Sequence, residues 1–176
     1  PLFNRFWRGQ YPPGSTIKPF MALAALNYGV MDPFKDLLCP GYFMLPSNPN
    51  PYRDWKRGGH GEIDMSQAIT ESCDVYFYTV AMKLGIQHLH DYLVNFGFGK
   101  PTGVDLMGEQ DGVVPSPAWK RKYLHQPWYL GETIIAGIGQ GYTLVTPIQL
   151  ADATAALAMR GQRFVPHVLH AIGDPL

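Results

Sequence analysis

The chain has 176 residues (19.7 kDa), 46% of them hydrophobic and 16% charged, enough apolar material for a core and length for one ordinary domain or part of a larger one, so disorder and a string of domains are excluded. Lys plus Arg (14) equals Asp plus Glu (14), which removes any global electrostatic case for a nucleic-acid or acidic-membrane partner. Glycine (19) and proline (16) together make roughly a fifth of the chain against about 12% on average, pointing to long structured loops and away from a plain helical bundle.

The apolar runs are short, the longest near Phe20 to Leu26 and Ala155 to Met159, far below the roughly 18–20 residues of a membrane span. Pro1-Leu2-Phe3-Asn4-Arg5 lacks the order of a signal peptide, so the start reads as the interior of a longer protein. After the stiff Tyr11-Pro12-Pro13-Gly14 comes a predicted helix over residues 15–26, with Ser15 at its mouth and Pro19 in its first turn. Residues 30–62 hold five prolines and four glycines and read as one long ordered loop without regular elements. Asp64 is the expected cap of a short helix over 64–71, and Val75 to Leu84 forms a second helix ended by Gly85. Ser72-Cys73-Asp74 lies at their joint. A third helix covers about Ile86 to Asn95, a short one runs from Pro117 to Tyr123 with Ser116 as cap, and a last one runs from Pro147 to Met159. Val165 to Ile172 reads as a strand.

Ser15-x-x-Lys18 is the first pair that suggests a reaction. One helical turn separates them, so the amine shares a face with the hydroxyl and can serve as its base. The helix mouth adds backbone N–H groups for an oxyanion. Taken alone, such a short motif is more often a capping serine followed by a surface lysine.

The wider pattern carries more. Tyr11-Pro12-Pro13-Gly14-Ser15-Thr16-Ile17-Lys18-Pro19, then Ser72-Cys73-Asp74, then Gly137-Ile138-Gly139-Gln140-Gly141 with Thr146-Pro147 stand in the order and spacing of penicillin-binding transpeptidases. Tyr52-Arg53-Asp54-Trp55-Lys56, Gly59-His60-Gly61, Phe96-Gly97-Phe98-Gly99, Thr102-Gly103-Val104-Asp105-Leu106 and Pro127-Trp128-Tyr129 extend the match over nearly the whole chain. In this the chain resembles the class B enzymes of cell elongation. The resemblance implies an α/β penicillin-binding/β-lactamase-like transpeptidase fold, of which these residues supply mainly the helical part with long loops, most of the central antiparallel sheet lying elsewhere.

It also implies the chemistry. Ser15 would be the nucleophile acylated by the D-Ala-D-Ala end of a peptidoglycan stem peptide or by a β-lactam, Lys18 its general base, and Ser72 a hydroxyl relay. Asp74 stands where the family usually has asparagine; a carboxylate has no N–H to offer a substrate carbonyl, so a substrate contact, pairing with Lys18 and helix capping are all open. Gln140 and Gly141 are expected near the substrate, on backbone close to the site floor. The family's K-T-G motif is missing: Lys100-Pro101-Thr102-Gly103 imitates it but stands before Gly137 rather than after, and reads as a structural turn. The expectation is therefore a partial transpeptidase domain over residues 1–176 that ends short of that motif and holds half of the oxyanion hole. Implied surroundings are a periplasmic domain of an inner-membrane-anchored protein, with elongation-complex glycosyltransferase and scaffold partners. A D,D-carboxypeptidase, a β-lactamase-type hydrolase and a silent penicillin-binding sensor share parts of the pattern.

Cys39, Asp54, His60 and Cys73 form a candidate zinc site: two thiolates, an imidazole and a carboxylate are the count and chemistry of a closed structural centre. The spacing fits no compact finger, but a Pro/Gly-rich loop with little apolar content needs a staple, and some family members are expected to carry zinc there. A Cys39–Cys73 disulfide and two free thiols are the alternatives. Gly137–Gly141 lacks the spacing of a nucleotide loop, and Trp119-Lys120-Arg121-Lys122-Tyr123 reads as a solvated helix face.

Overall fold

The computed structural model describes residues 3–46 and 48–169. In chain order these form α1 (Arg5–Arg8), a 3-10 turn (Gly14–Ile17), α2 (Lys18–Asn27), β1 (Leu37–Cys39), β2 (Tyr42–Leu45), β3 (Asn48–Arg53), β4 (Gly61–Ile63), α3 (Met65–Thr70), α4 (Asp74–Asn95), α5 (Pro117–Leu124), α6 (Leu130–Ala136) and α7 (Pro147–Ala158). No helix among the described residues is long and apolar enough to cross a membrane.

The core is built on α2 and α4. Phe20, Met21, Ala22, Ala24 and Ala25 are buried, so α2 is apolar on nearly every side and must lie inside. It packs on α4, which also receives α6. Gly137, just past α6, approaches so closely that a Cβ there would meet Ala81 Cβ at 2.4 Å. Phe20 meets Phe96 and Phe98 edge to face, at 5.0 and 5.3 Å between centroids. Gly85, at φ 70° and ψ 161°, breaks α4 into the two helical stretches anticipated from sequence.

The helix predicted from Ser15 begins later. Residues 14–17 are 3-10 and the α-helix starts at Lys18. Pro19 has no N–H for the Ser15 carbonyl, which accepts instead from the Lys18 N–H three residues on. Asp64 caps α3 as expected, with Gln67 reciprocating on the Asp64 N–H. Ser116 and Thr146 cap α5 and α7.

Residues 30–62 are not an element-free loop. β1 pairs antiparallel with β4, Cys39 opposite Gly61, and β2 pairs with β3, Phe43 opposite Tyr52. The prolines in β3 are tolerated because each pair has only two strands, leaving an edge where a missing N–H is not needed. The strand expected at 165–172 is not formed over 165–169, where the Val168 and Leu169 N–H groups donate to the Asp105 carboxylate; 170–172 lie outside the described residues. α1 and α6 were not anticipated.

Candidate active site

Ser15 sits exposed on the 3-10 turn, immediately after Gly14 at φ 57°. The Gly14 N–H donates to the Gly139 carbonyl at 2.9 Å. Gly139, at φ 69°, has no room for a side chain, since a Cβ would lie 2.4 Å from the Gly14 carbonyl oxygen. The glycine-rich segment thus forms the floor beneath Ser15. The Gln140 amide lies near Gly14, so that a Cβ on Gly14 would be 3.5 Å from Nε2. Gly141 turns away beside Ile135 and, with Tyr52, Trp128, Tyr129 and Tyr142, lines a cavity of about 350 Å³.

Lys18, one residue into α2, is 1% exposed. Its Nζ donates to the Ser72 carbonyl (2.7 Å), the Ser72 hydroxyl (3.0 Å) and Asp74 Oδ1 (2.7 Å), so all three ammonium hydrogens are used. Ser72 Oγ in turn bonds Ser15 Oγ at 2.9 Å. The Ser72 hydroxyl thus bridges the Lys18 amine and the Ser15 hydroxyl. Ser72 is at φ 55°, a left-handed conformation that a non-glycine residue adopts at a cost, and it aims both its carbonyl and its hydroxyl at the lysine. Asp74 is held by Lys18 and lies in the first turn of α4, whose cap is Cys73: Cys73 Sγ accepts the Tyr76 N–H at 3.3 Å.

One residue of that turn belongs to a second cluster. Cys39, Asp54, His60 and Cys73 bring one ligand atom each within 4.8 Å of all the others, and both cysteines are free. The separations are 3.6 Å for Cys39 Sγ to Asp54 Oδ2, 3.4 Å for Cys73 Sγ to Asp54 Oδ2, 3.4 Å for Cys39 Sγ to His60 Nδ1 and 3.7 Å for His60 Nδ1 to Asp54 Oδ2. Four ligands at zinc bond lengths in a tetrahedron stand about 3.3–3.8 Å apart, the range of these four separations, and the remaining two lie within 4.8 Å, so the donor types and their grouping suit the ion. Burial works against the Asp54 charge, but N–H groups of Val75 and Lys56, the Cys73 thiol and His60 together hold its carboxyl below the usual range. Burial pushes the Cys73 thiol up, the Tyr76 N–H opposing. Asp54 Oδ2 also accepts the Val75 N–H at 3.0 Å, so the loop is tied to the first turn of α4 and hence to Ser72 and Asp74.

The expected turn at Lys100–Gly103 is clipped by Glu109, whose carboxylate accepts from the Thr102 N–H and hydroxyl and the Gly103 N–H. The basic aromatic segment at 119–123 is not a simple solvated face: Lys120 is 1% exposed and pairs with Glu132. Its sequence signal was a lysine among aromatic residues, but the partner comes from α6, an element that sequence did not disclose.

The family described as the penicillin binding protein transpeptidase domain matches residues 1–174. Peptidoglycan D,D-transpeptidase MrdA of Acinetobacter baumannii is 49% identical over 171 residues, 97% of this chain and 25% of that protein. Among solved structures, Pseudomonas aeruginosa PBP2 in complex with WCK 5153 superposes with a TM-score of 0.92 at 52% identity, over 95% of this chain and 38% of the other. Helicobacter pylori PBP2 in complex with MreC gives 0.90 at 40% identity, over 95% and 31%. The chain thus spans about a quarter of the length of its curated relative. With motifs, site geometry, fold and sequence in agreement, the chain belongs to the penicillin-binding protein transpeptidase domain family, in its PBP2/MrdA group.

Proposed function

We propose that these residues carry the serine acyl-transfer centre of a peptidoglycan D,D-transpeptidase, and that residues 1–176 are the nucleophile-bearing part of its transpeptidase domain. The observation that carries the reading is the chain of contacts from buried Lys18 through Ser72 to exposed Ser15. A hydroxyl pair passes hydrogen in either direction. For attack, once the Lys18 ammonium has given up to solvent the hydrogen it donates to Ser72 Oγ, Ser15 gives its proton to Ser72 Oγ as Ser72 gives its own to the freed amine, and Ser15 Oγ bonds the carbonyl carbon of the penultimate D-Ala. The proton then returns by the same two steps to the nitrogen of the departing D-Ala. The amine of a second stem peptide attacks the acyl-enzyme, loses its proton to the relay and restores free Ser15. A β-lactam enters by the same attack, but its leaving nitrogen stays tethered by the ring. The Ser15 N–H, at the start of the 3-10 turn, would offer one side of an oxyanion hole, the neighbouring Gly14 N–H being taken by the Gly139 carbonyl. Asp74 fixes Lys18 where the relay needs it, and Gln140 and Gly141 border the space in which a stem peptide lies.

Cys39, Asp54, His60 and Cys73 hold a structural zinc in this reading, supported by their separations and by their mixed thiolate, imidazole and carboxylate chemistry. The ion supplies cross-linking of the loop to α4 and takes no part in the chemical steps. In the same reading the whole protein is a membrane-anchored periplasmic enzyme working with a glycosyltransferase and a scaffold, the complex of the H. pylori relative with MreC supporting the latter.

Fluorescent penicillin tests the centre: the full-length protein takes a long-lived covalent label that Ser15→Ala abolishes. Labelling that survives Ser15→Ala removes the reading, and rapid turnover of the label turns it toward a hydrolase. Metal analysis is expected to give one zinc per chain, and a Cys39–Cys73 disulfide in non-reducing mass spectrometry would remove the metal.

A further inference from the structure

His60 turns Nδ1 into the cluster, towards Cys39 Sγ and Asp54 Oδ2. Its other nitrogen, Nε2, is buried with no hydrogen-bond partner. An imidazole that gives the Nδ1 lone pair to a cation carries its proton on Nε2, so the outer nitrogen is a donor in want of an acceptor. The carboxylate facing it is Glu71, with Oε2 3.8 Å away. That is too long for a hydrogen bond and too short to seat a water between them. The Glu71 side chain is 47% exposed, and a small rotation closes the gap.

The surroundings keep Glu71 in place. Its backbone carbonyl accepts the Trp55 indole N–H at 3.1 Å, and the Trp55 ring stands edge-on to His60 at 5.5 Å between centroids. Trp55 is a donor only, so it cannot serve Nε2 itself. Lys56 Nζ lies 3.6 Å from the same Glu71 oxygen and competes for it from the solvent side. Glu71 is also the residue before Ser72, whose left-handed turn presents the hydroxyl to Ser15.

We propose that Glu71 is the positioning residue of the metal centre: its carboxylate accepts the His60 Nε2–H, fixes the tautomer and ring orientation of that ligand, and joins the centre to the turn that carries Ser72. This rests on the zinc reading above. Metal-binding histidines commonly hand their second N–H to a carboxylate, and loss of such a partner lowers metal affinity about 10–100-fold.

The test is a competition titration of the full-length protein against a zinc-chelating dye, with Co²⁺ substitution read by its visible absorption. Glu71→Leu is expected to weaken zinc about 10–100-fold and to shift the Co²⁺ bands. Glu71→Gln keeps an oxygen acceptor and is expected to restore most of the affinity and the wild-type spectrum. Lys56→Met frees the carboxylate and leaves zinc bound at least as tightly. Equal zinc affinity in wild type and Glu71→Leu overturns the proposal alone, as does a Glu71→Gln variant as weak as Glu71→Leu. A wild-type protein that takes no zinc overturns it together with the metal reading.

Discussion

Two lysines of this molecule are buried to the same degree, and each is paired with one carboxylate: Lys18 with Asp74 and Lys120 with Glu132. Each also lies near aromatic faces, Lys18 at 5.6 Å from the Phe77 ring centre and Lys120 at 4.7 Å from that of Tyr129. What differs is the next atom along. Lys18 donates to a hydroxyl that bonds another, exposed hydroxyl. The partner of Lys120 instead closes the first turn of α6, with Glu132 Oε2 accepting the Tyr129 N–H at 2.8 Å. Burial and pairing keep a cation inside a fold, whereas the proposed role of Lys18 needs in addition the hydroxyl chain that leads to Ser15.

The largest expected effect separates the two directly. Lys18→Met is expected to slow acylation by fluorescent penicillin about 10²–10⁴-fold, the range for loss of a general base. Lys120→Met leaves that rate close to wild type and lowers the Tm. Stopped-flow or gel-based labelling measures the first and calorimetry the second. A folded Lys120→Met protein that no longer acylates would break the distinction. Next comes the relay hydroxyl. Ser72→Ala and Ser72→Gly are both expected to slow acylation about 10²-fold, but glycine at φ 55° relieves a left-handed backbone and stabilises the protein by about 1 kcal/mol relative to alanine. Equal stability of the two variants would show that the turn stores no strain.

The difference between the lysines also marks how far the sequence could be read. Ser15 and Lys18 were legible because a three-residue spacing on a helix is local, and Asp64, Ser116 and Thr146 were legible because capping is local too. The route through Ser72 is legible only through the family resemblance, because no local spacing shows it: it depends on where α4 begins relative to α2. Lys120 was read as solvated since its partner is twelve residues on, in a helix opening with Leu130-Gly131-Glu132 and lacking the usual Ser, Thr, Asp or Asn cap. β1 to β4 escape a sequence reading because runs of three to six residues, set among the prolines and glycines of 30–62, are too short to show a period-two pattern. Cys39, Asp54, His60 and Cys73 are picked out by ligand chemistry, by a loop that needs a staple and by the family resemblance, and the fold brings all four together.

A smaller effect is expected at Asp74. Asp74→Asn keeps the shape beside Lys18 and exchanges an ion pair for a bond from the same amine to a neutral amide oxygen, a loss of about 1.4 kcal/mol or tenfold. Acylation rate is the measurement. A Glu132→Gln variant, which makes the same exchange beside Lys120, should leave that rate unchanged while lowering the Tm, so a rate loss there as large as at Asp74 would erase the contrast.

The smallest and most specific effect lies on the alkaline side. Burial opposes the charge on Lys120, but the hydrogen bond and charge of Glu132 outweigh it and raise its pKa above the ordinary 10.5. A raised lysine contributes stability that is fully present below its unfolded value and is lost as pH rises through the folded one. The Tm difference between wild type and Lys120→Met should therefore hold constant from neutral pH to about 10 and close only above it. Lys120 would then be a tie that stays charged from neutral pH to about 10. A gap that closes below pH 9, about one unit under the lysine reference value, would mean that neither Glu132 nor the rings of Tyr129 and Tyr142 hold the ammonium against its burial.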